Sequence, residues 1–310
     1  MEPAVELIDA HKSYGSVHAL RGVNIAIHPG ESVAMLGPNG AGKSTAISLM
    51  IGMRRPTRGR ARLFGLDPTE RRVRSHCGVM LQESGVNGAF RVRKLVDLFR
   101  SYYPDPMPAE RAIRLAGLEE QARVQASKLS GGQRQRLYYA LAVCGDPEVL
   151  FLDEPTVGMD VESRRAFLAG IRGFVSGGKT IVLTTHYLDE ADELADRIVV
   201  VDKGRVIADA PPADIKARVA GKRVSFDADE PLSEADLRGM PYRHLQLNGR
   251  HVQFLSNDPE EILGPLFRRR LGIRNLEVVG ADLEEAFLAL TSHADPARAE
   301  QEAAEQGVTP

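Results

Sequence analysis

The residues best suited to chemistry begin at Gly37-Pro38-Asn39-Gly40-Ala41-Gly42-Lys43-Ser44, with Thr45 next. The run matches the phosphate-loop pattern: glycines, then a lysine and a hydroxyl residue. Its glycines let backbone N–H groups curl around phosphates, a helix that follows adds the positive end of its dipole, and Lys43 reaches toward the terminal phosphates. Ser44 offers a hydroxyl of the kind that binds Mg²⁺. A second run, Val149 to Leu152, is an apolar strand that delivers Asp153 and Glu154 at its C-terminal end, where ligands gather in parallel α/β sheets. Asp153 suits Mg²⁺ and Glu154 suits a general base. By itself such a pair equally well ends a strand in solvent; the phosphate loop is what gives it a task.

A third run, Leu129-Ser130-Gly131-Gly132-Gln133, stands directly before the helical pattern of Arg134 to Val143. Alone it reads as a serine N-cap with flexible glycines. In this order with the other two motifs, it resembles the signature sequence of ABC ATPases. The resemblance covers Val5 to Ala210, about two thirds of the chain. It implies ATP as the nucleotide, bound through Gly37 to Thr45, and Mg²⁺ held by Ser44, Gln82 and Asp153. Tyr14 matches the aromatic that stacks on adenine in that family, although a lone tyrosine near a strand is as often packing. Gln82, in Met80-Leu81-Gln82-Glu83, matches the glutamine that touches Mg²⁺ and the attacking water and senses the membrane partner. Gly158-Met159-Asp160 resembles the loop that crosses the dimer interface, with Met159 where leucine is more usual, a volume-conserving change. His186, in Thr184-Thr185-His186-Tyr187, matches the histidine that contacts the γ-phosphate.

In-line attack of water on a γ-phosphoryl group needs charge neutralisation, alignment and a base. Lys43, Ser44, Asp153, Glu154 and His186 supply those parts. The resemblance implies the remainder: Ser130 and Gly132 reach the ATP held on another subunit. The expected assembly is a head-to-tail homodimer, or a heterodimer with a sister subunit, that closes on two ATPs and reopens after hydrolysis.

Three further stretches, Arg136 to Pro147, Thr185 to Ile198 and Leu283 to Leu290, resemble ABC-2-type exporters of drugs, antibiotics, polysaccharides or other lipophilic cargo. In that group a separate polytopic membrane protein forms the pathway. An importer subunit would share the ATPase core, with the C-terminal domain then a regulatory sensor. A non-transport ABC ATPase would share it too, but translation-type members usually join two cores in one chain. DNA-repair members separate the residues matching Ser44 and Ser130 by a very long coiled coil. Neither feature is present. A binding-only relic would be expected to have lost Glu154 or His186.

The elements that must position these residues follow from the apolar pattern. Ser32 to Leu36, Val149 to Leu152 and Thr180 to Leu183 read as buried strands separated by helical patterns such as Ser163 to Phe174. That alternation predicts an α/β fold with a mainly parallel sheet covered on both faces. The fold class expected is a P-loop NTPase (ABC ATPase) core with an antiparallel β subdomain and a helical insertion at about 86–128. Short strands are expected at Val5 to Asp9 and Val23 to Ile27, and the core should occupy 1–220. Residues 221–292 follow in the order β-α-β-β-α-β, which predicts a small α+β domain of ferredoxin-like arrangement, its first helix near Glu234 to Arg238. An Ala/Glu-rich stretch at 293–310 reads as a mobile tail.

Composition sets the remaining bounds. The 310 residues are 43% hydrophobic and 26% charged, with a net charge of -2, so no global basic field draws the protein to nucleic acid. Two cysteines, Cys77 and Cys144, imply no disulfide framework. Met1 to Ala10 lacks the pattern of a signal peptide, and no run of about 18 apolar residues occurs. The expected location is cytoplasmic, peripheral on the inner face of the cell membrane. Arg54, Arg55, Arg58, Arg60, Arg62, Arg71, Arg72 and Arg74 form a local basic run, read as a solvated face or as one turned toward anionic lipid or the membrane partner.

Overall fold

The computed structural model describes residues 2–81, 85–217, 222–269, 271–280 and 282–292. Gln82 and the stretch 293–310 lie outside them. The chain divides into two compact units, residues 1–212 and 213–310.

The first unit opens with β1 (Val5–Tyr14) and β2 (Val17–Ile27), then β3 (Ser32–Leu36), α1 (Lys43–Met50), β4 (Arg58–Leu63), α2 (Arg71–Arg74) and β5 (Cys77–Met80). β1 pairs antiparallel with both β2 and β4 in a three-stranded sheet of order β2-β1-β4. Here the strands run further than their apolar alternation suggests. Asp9 takes a φ of 45° and the register shifts beside it, so the period of two breaks at Asp9 while the ladder continues to Tyr14.

α3 (Val92–Arg100) and α4 (Ala109–Leu115) form the helical insertion, separated by the Pro104, Pro106 and Pro108 run, whose last member stands at the N-cap of α4. α3 buries Val92, Leu95 and Val96, the i, i+3, i+4 stripe of an amphipathic helix. Then come α5 (Gly131–Val143), β6 (Val149–Asp153), α6 (Val161–Ser176), β7 (Thr180–Thr184), α7 (Leu188–Leu194), β8 (Arg197–Asp202), β9 (Arg205–Ala210) and α8 (Pro212–Ala217), the last crossing into the second unit.

The central sheet has the order β5-β6-β7-β3-β8-β9, parallel throughout except for β9 at one edge. β3, β6 and β7 are buried at every position, as strands covered on both faces must be. α1 adds Ala46, Ile47, Leu49 and Met50 to a core that also holds Met35, Phe151, Val182 and Val199. Full burial of side chains such as Ile47 or Phe151 contributes roughly 1.5–3 kcal/mol each, and this anchors α1 behind the phosphate loop. Cys77 and Cys144 are buried free thiols.

The second unit holds β10 (Lys222–Ala228), β11 (Arg243–Asn248), β12 (His251–Ser256), α9 (Pro259–Arg268), β13 (Ile273–Gly280) and α10 (Leu283–Ser292). The sheet order is β11-β12-β10-β13, with every adjacent pair antiparallel. Val224, Phe226, Val252 and Phe254 pack with Ile262 and Leu266 of α9 in a core of their own. Where a first helix was expected, the chain makes a short 3₁₀ turn at Glu234–Leu237. Pro231 and Pro241 bracket that connection, and a Ser233/Asp236 capping box closes it within one turn.

Candidate active site

Three strands that are neighbours in the sheet, β6, β7 and β3, point the same way and end side by side. Their C-terminal ends carry Asp153 and Glu154, Thr185 and His186, and the loop Gly37 to Gly42. A cleft of about 550 Å³ opens there, lined by Ala19, Asn39, Gly40, Ala41, Gly42, Lys43, Ser44, Thr45, Glu154 and His186. Sequence-distant residues meet because parallel strands deliver their ends to one edge.

Two glycines of the loop are required by space. A Cβ on Gly37 would sit 2.1 Å from the Val201 carbonyl oxygen, and one on Gly42 2.6 Å from that of Ala19. Gly42 also takes a φ of 113° and stands at the N-cap of α1 with no side-chain cap and no acidic residue in the first turn. The first N–H groups of α1 are therefore left without a side-chain cap or a first-turn carboxylate at the cleft, the arrangement that binds phosphate at helix N-termini.

Lys43 is 7% exposed, and its Nζ donates to the carbonyl oxygens of Gly37 at 2.6 Å and Pro38 at 3.2 Å. Burial holds its pKa below the ordinary lysine value, against the opposing charges of Glu154 and Asp153. Ser44 Oγ donates to Asp153 Oδ1 at 3.3 Å, and Thr184 Oγ1 donates to the same oxygen. A hydroxyl and a carboxylate oxygen side by side are hard donors suited to Mg²⁺. No cluster of three or more His, Cys, Asp and Glu side chains capable of holding a metal occurs among the described residues, so any cation here would need nucleotide oxygens or water as well.

Glu154 sits one residue beyond β6 at a φ of 50°, a backbone region that costs a non-glycine residue of order 1–3 kcal/mol and persists where surroundings enforce it. The enforcement comes from Thr184: the Glu154 N–H donates to its carbonyl and its Oγ1, each at 3.1 Å. His186 Nδ1 lies 3.4 Å from Glu154 Oε2. Glu154 and His186 thus share one corner of the cleft.

The third motif is elsewhere. None of Leu129, Ser130, Gly131, Gly132 or Gln133 lines the cleft. Ser130 is the N-cap of α5 in a complete capping box: its Oγ accepts from the Gln133 N–H at 3.2 Å, and its own N–H donates to Gln133 Oε1 at 3.0 Å. A Cβ on Gly131 would lie 3.7 Å from the Gly158 carbonyl oxygen, and one on Gly132 3.7 Å from Met159 Cγ, so the loop at Gly158–Asp160 packs against this helix end. Asp160 caps α6 by accepting from the Ser163 N–H at 2.9 Å, a bond that holds its carboxyl below the usual range. Val161 beside it is 65% exposed. Tyr14, 45% exposed at the β1–β2 turn, does not line the cleft, although Ala19 of β2 does. Gln82 lies outside the described residues.

Motif reading missed Glu190. It is 2% exposed and receives hydrogen bonds from Thr156 Oγ1 at 2.6 Å and Thr185 Oγ1 at 2.7 Å. Its one sequence signal was an acidic residue at a position where α7 needs a buried face.

A family model for ABC transporters matches residues 20–157. The chain is similar to Nod factor export ATP-binding protein I of Burkholderia orbicola (strain AU 1054), 33% identical over 93% of this chain and 96% of that protein. To its counterpart in Rhizobium etli (strain ATCC 51251 / DSM 11541 / JCM 21823 / NBRC 15573 / CFN 42) it is 33% identical over 93% of each. Among solved structures, it resembles the dimeric post-hydrolysis state of the ATP-binding cassette MJ0796 bound to ADP and Pi, with a TM-score of 0.62 and 26% identity. That likeness covers 67% of this chain and 98% of that one. With a phosphate-binding loop, paired carboxylates and a histidine converging at one sheet edge, the chain belongs to the ABC transporter family, as its ATP-binding and ATP-hydrolysing subunit.

Proposed function

We propose that two copies of this cassette, or this chain and a sister subunit, close head to tail on two ATPs and drive export through a separate polytopic membrane protein. The observation that carries this reading is the separation of the cleft from Ser130–Gln133: the loop, the carboxylate Glu154 and His186 line the cleft, and the signature residues at the start of α5 do not. A second cassette turned about would complete each cleft.

In each site Lys43 exchanges its loop carbonyls for phosphate oxygens, and the N–H groups at the start of α1 hold the phosphate chain. Ser44 and Asp153 are the residues that would hold Mg²⁺, with Gln82 assigned beside them by resemblance; the ion supplies charge neutralisation at the phosphates when bound. Glu154 takes the proton of the attacking water, and His186 orients the γ-phosphate and the base. Ser130 and Gly132 of the second subunit face the γ-phosphate from the far side. Tyr14 stacks on the base, and Asp160 lies on the loop that meets the partner.

Export is favoured by relatives named as export proteins that align across 93% of the chain, the second unit included. The cargo class inferred from resemblance is lipophilic or drug-like. No helix among the described residues is long and apolar enough to cross a membrane, which fits a peripheral subunit on the cytoplasmic face. Residues 1–220 are read as the ATPase domain and 221–292 as a ferredoxin-like domain, supported by the sheet order β11-β12-β10-β13.

The test is to solubilise membranes from cells expressing Glu154→Gln with Mg²⁺-ATP present and identify what copurifies by mass spectrometry. A polytopic membrane protein retained only with ATP is the expected result. Ribosomal or DNA-repair proteins, with no membrane partner, would overturn it.

A further inference from the structure

Glu190 lies on the first turn of α7 and does not line the cleft, yet it joins two segments that matter to it. Thr185 Oγ1 accepts from the Tyr187 N–H at 2.9 Å and donates to Glu190 Oε2, so its hydroxyl has both roles filled and the turn bearing His186 is fixed. On the other oxygen, Thr156 donates from the segment between Glu154 and Asp160. Within that segment the Met159 N–H donates to the Thr156 carbonyl at 3.1 Å, and Gly158 and Met159 abut Gly131 and Gly132 of α5.

A second strut runs beside the first. Arg164, on the turn of α6 that Asp160 caps, lies 3.9 Å over the Tyr187 ring, and its Nε comes within 3.7 Å of Glu190 Oε1. That Nε is buried without a hydrogen-bond partner. The His186 and Tyr187 rings lie against each other, 4.0 Å between centroids and tilted by 39°. A buried carboxylate is an expensive way to fill space. Its geometry instead fixes the separation of two loops.

We propose that Glu190 is a positioning residue that locks His186 to the loop 155–160, so that γ-phosphate contact in one site is transmitted to the signature helix end serving the other. The proposal rests on the composite-site reading above. The physical link is a chain of hydrogen bonds and close packing from His186 through Thr185, Glu190, Thr156 and Gly158–Met159 to Gly131–Gly132. Both loops bond to one rigid carboxylate, so a shift of either moves the other.

The test is steady-state ATP turnover by the full chain in wild type, Glu190→Gln, Thr185→Val, Thr185→Ser and the Glu190→Gln/Thr185→Val double variant. An amide cannot accept from both threonines through two oxygens, so Glu190→Gln should lower kcat about 10- to 100-fold, the scale of a small misplacement. KM for ATP and displacement of a fluorescent ATP analogue should stay within about twofold, because α1 and its loop are untouched. The Hill coefficient for ATP should exceed 1 in wild type and fall to about 1 in Glu190→Gln. Thr185→Ser should keep wild-type kcat, Thr185→Val should lose it, and the double variant should be no worse than Glu190→Gln alone. Unchanged kcat in Glu190→Gln, or a fall in nucleotide affinity that matches the fall in kcat, would overturn the proposal. Should Glu190→Gln fail to fold, equal activity of Thr185→Val and Thr185→Ser would overturn it as well. A wild type that hydrolyses ATP without cooperativity sinks this inference alone, whereas a wild type without turnover sinks the composite-site reading first.

Discussion

Two helices in the first unit begin at glycine-rich motifs, and their first turns are finished in opposite ways. α1 starts at Gly42 with no side-chain cap, and its open N–H groups face the cleft. α5 starts at Ser130 with both halves of a capping box made. Both ends carry the same partial positive charge. One is built to receive an anion directly; the other ties up its Ser130 and Gln133 N–H groups within its own chain and keeps the Ser130 hydroxyl proton, the Gly131 and Gly132 N–H groups and the dipole for a ligand. The asymmetry fits a site that binds nucleotide on one subunit first and recruits the second subunit afterward.

The sharpest way to break the comparison is to stop chemistry while leaving both helix ends intact. Glu154→Gln should lower turnover about 10²- to 10⁴-fold, the contribution of a general base, while ATP binding survives and the ATP-bound dimer accumulates in size-exclusion chromatography. Loss of binding in this variant would mean that the carboxylate holds nucleotide instead.

Next in size, Lys43→Ala should weaken ATP binding by about 10- to 100-fold, as expected for losing a hydrogen-bonding charge. Ser130→Ala should leave the ATP affinity of the single subunit within about twofold and yet abolish turnover, since it spares the cleft in its own chain. Mixed in equal amounts, at an ATP concentration too low for Lys43→Ala to turn over, these two variants should regain up to roughly a quarter of wild-type turnover: half the dimers are mixed, and half their sites pair an intact Lys43 with an intact Ser130. No recovery would break the head-to-tail arrangement.

The cap itself gives a smaller effect. Ser130→Ala should cost about 1 kcal/mol of stability, read as a fall of a few degrees in Tm, because α5 loses its N-cap. α1 has no side-chain cap to lose.

A stability effect of the same order per residue concerns the far end of α5, where Cys144 stands at the C-cap, and the edge strand that carries Cys77. Burial pushes both thiols up to about 12 from an ordinary value of 9.0. Below that ordinary value, native and unfolded chains both keep these protons. Between it and the native value only the unfolded chain releases them, so stability falls as pH rises through that window. Going from pH 8 to pH 10 should remove on the order of 1 kcal/mol per thiol, seen in urea midpoints and absent in a Cys77→Ala/Cys144→Ala variant.

Much of the site was legible because each motif is contiguous and carries its own punctuation. A glycine run between strand and helix, or an apolar strand ending in two acids, needs no tertiary knowledge to be read. The buried strands β3, β6 and β7 were visible for the same reason. What stayed hidden depends on residues far apart in sequence. Thr156 and Glu190 are 34 positions apart, and nothing in either segment announces the other. β1 and β2 run past their readable alternation because a bulge at Asp9 resets the phase. The connection at Glu234–Leu237 has helix-forming composition, but its short span between prolines admits only a single tight turn. That Ser130 stays out of the cleft lined by Lys43 within one chain is a matter of topology, which no local pattern encodes.

The left-handed backbone at Glu154 has a consequence for descent. Glycine at that position would relieve the strain by about 1 kcal/mol while removing the carboxylate we propose as the base, so on that reading one substitution yields a better-folded and inactive subunit. A duplicated copy released from selection would drift readily in that direction without losing its fold, and paired cassettes with one silent site are what such drift would leave behind.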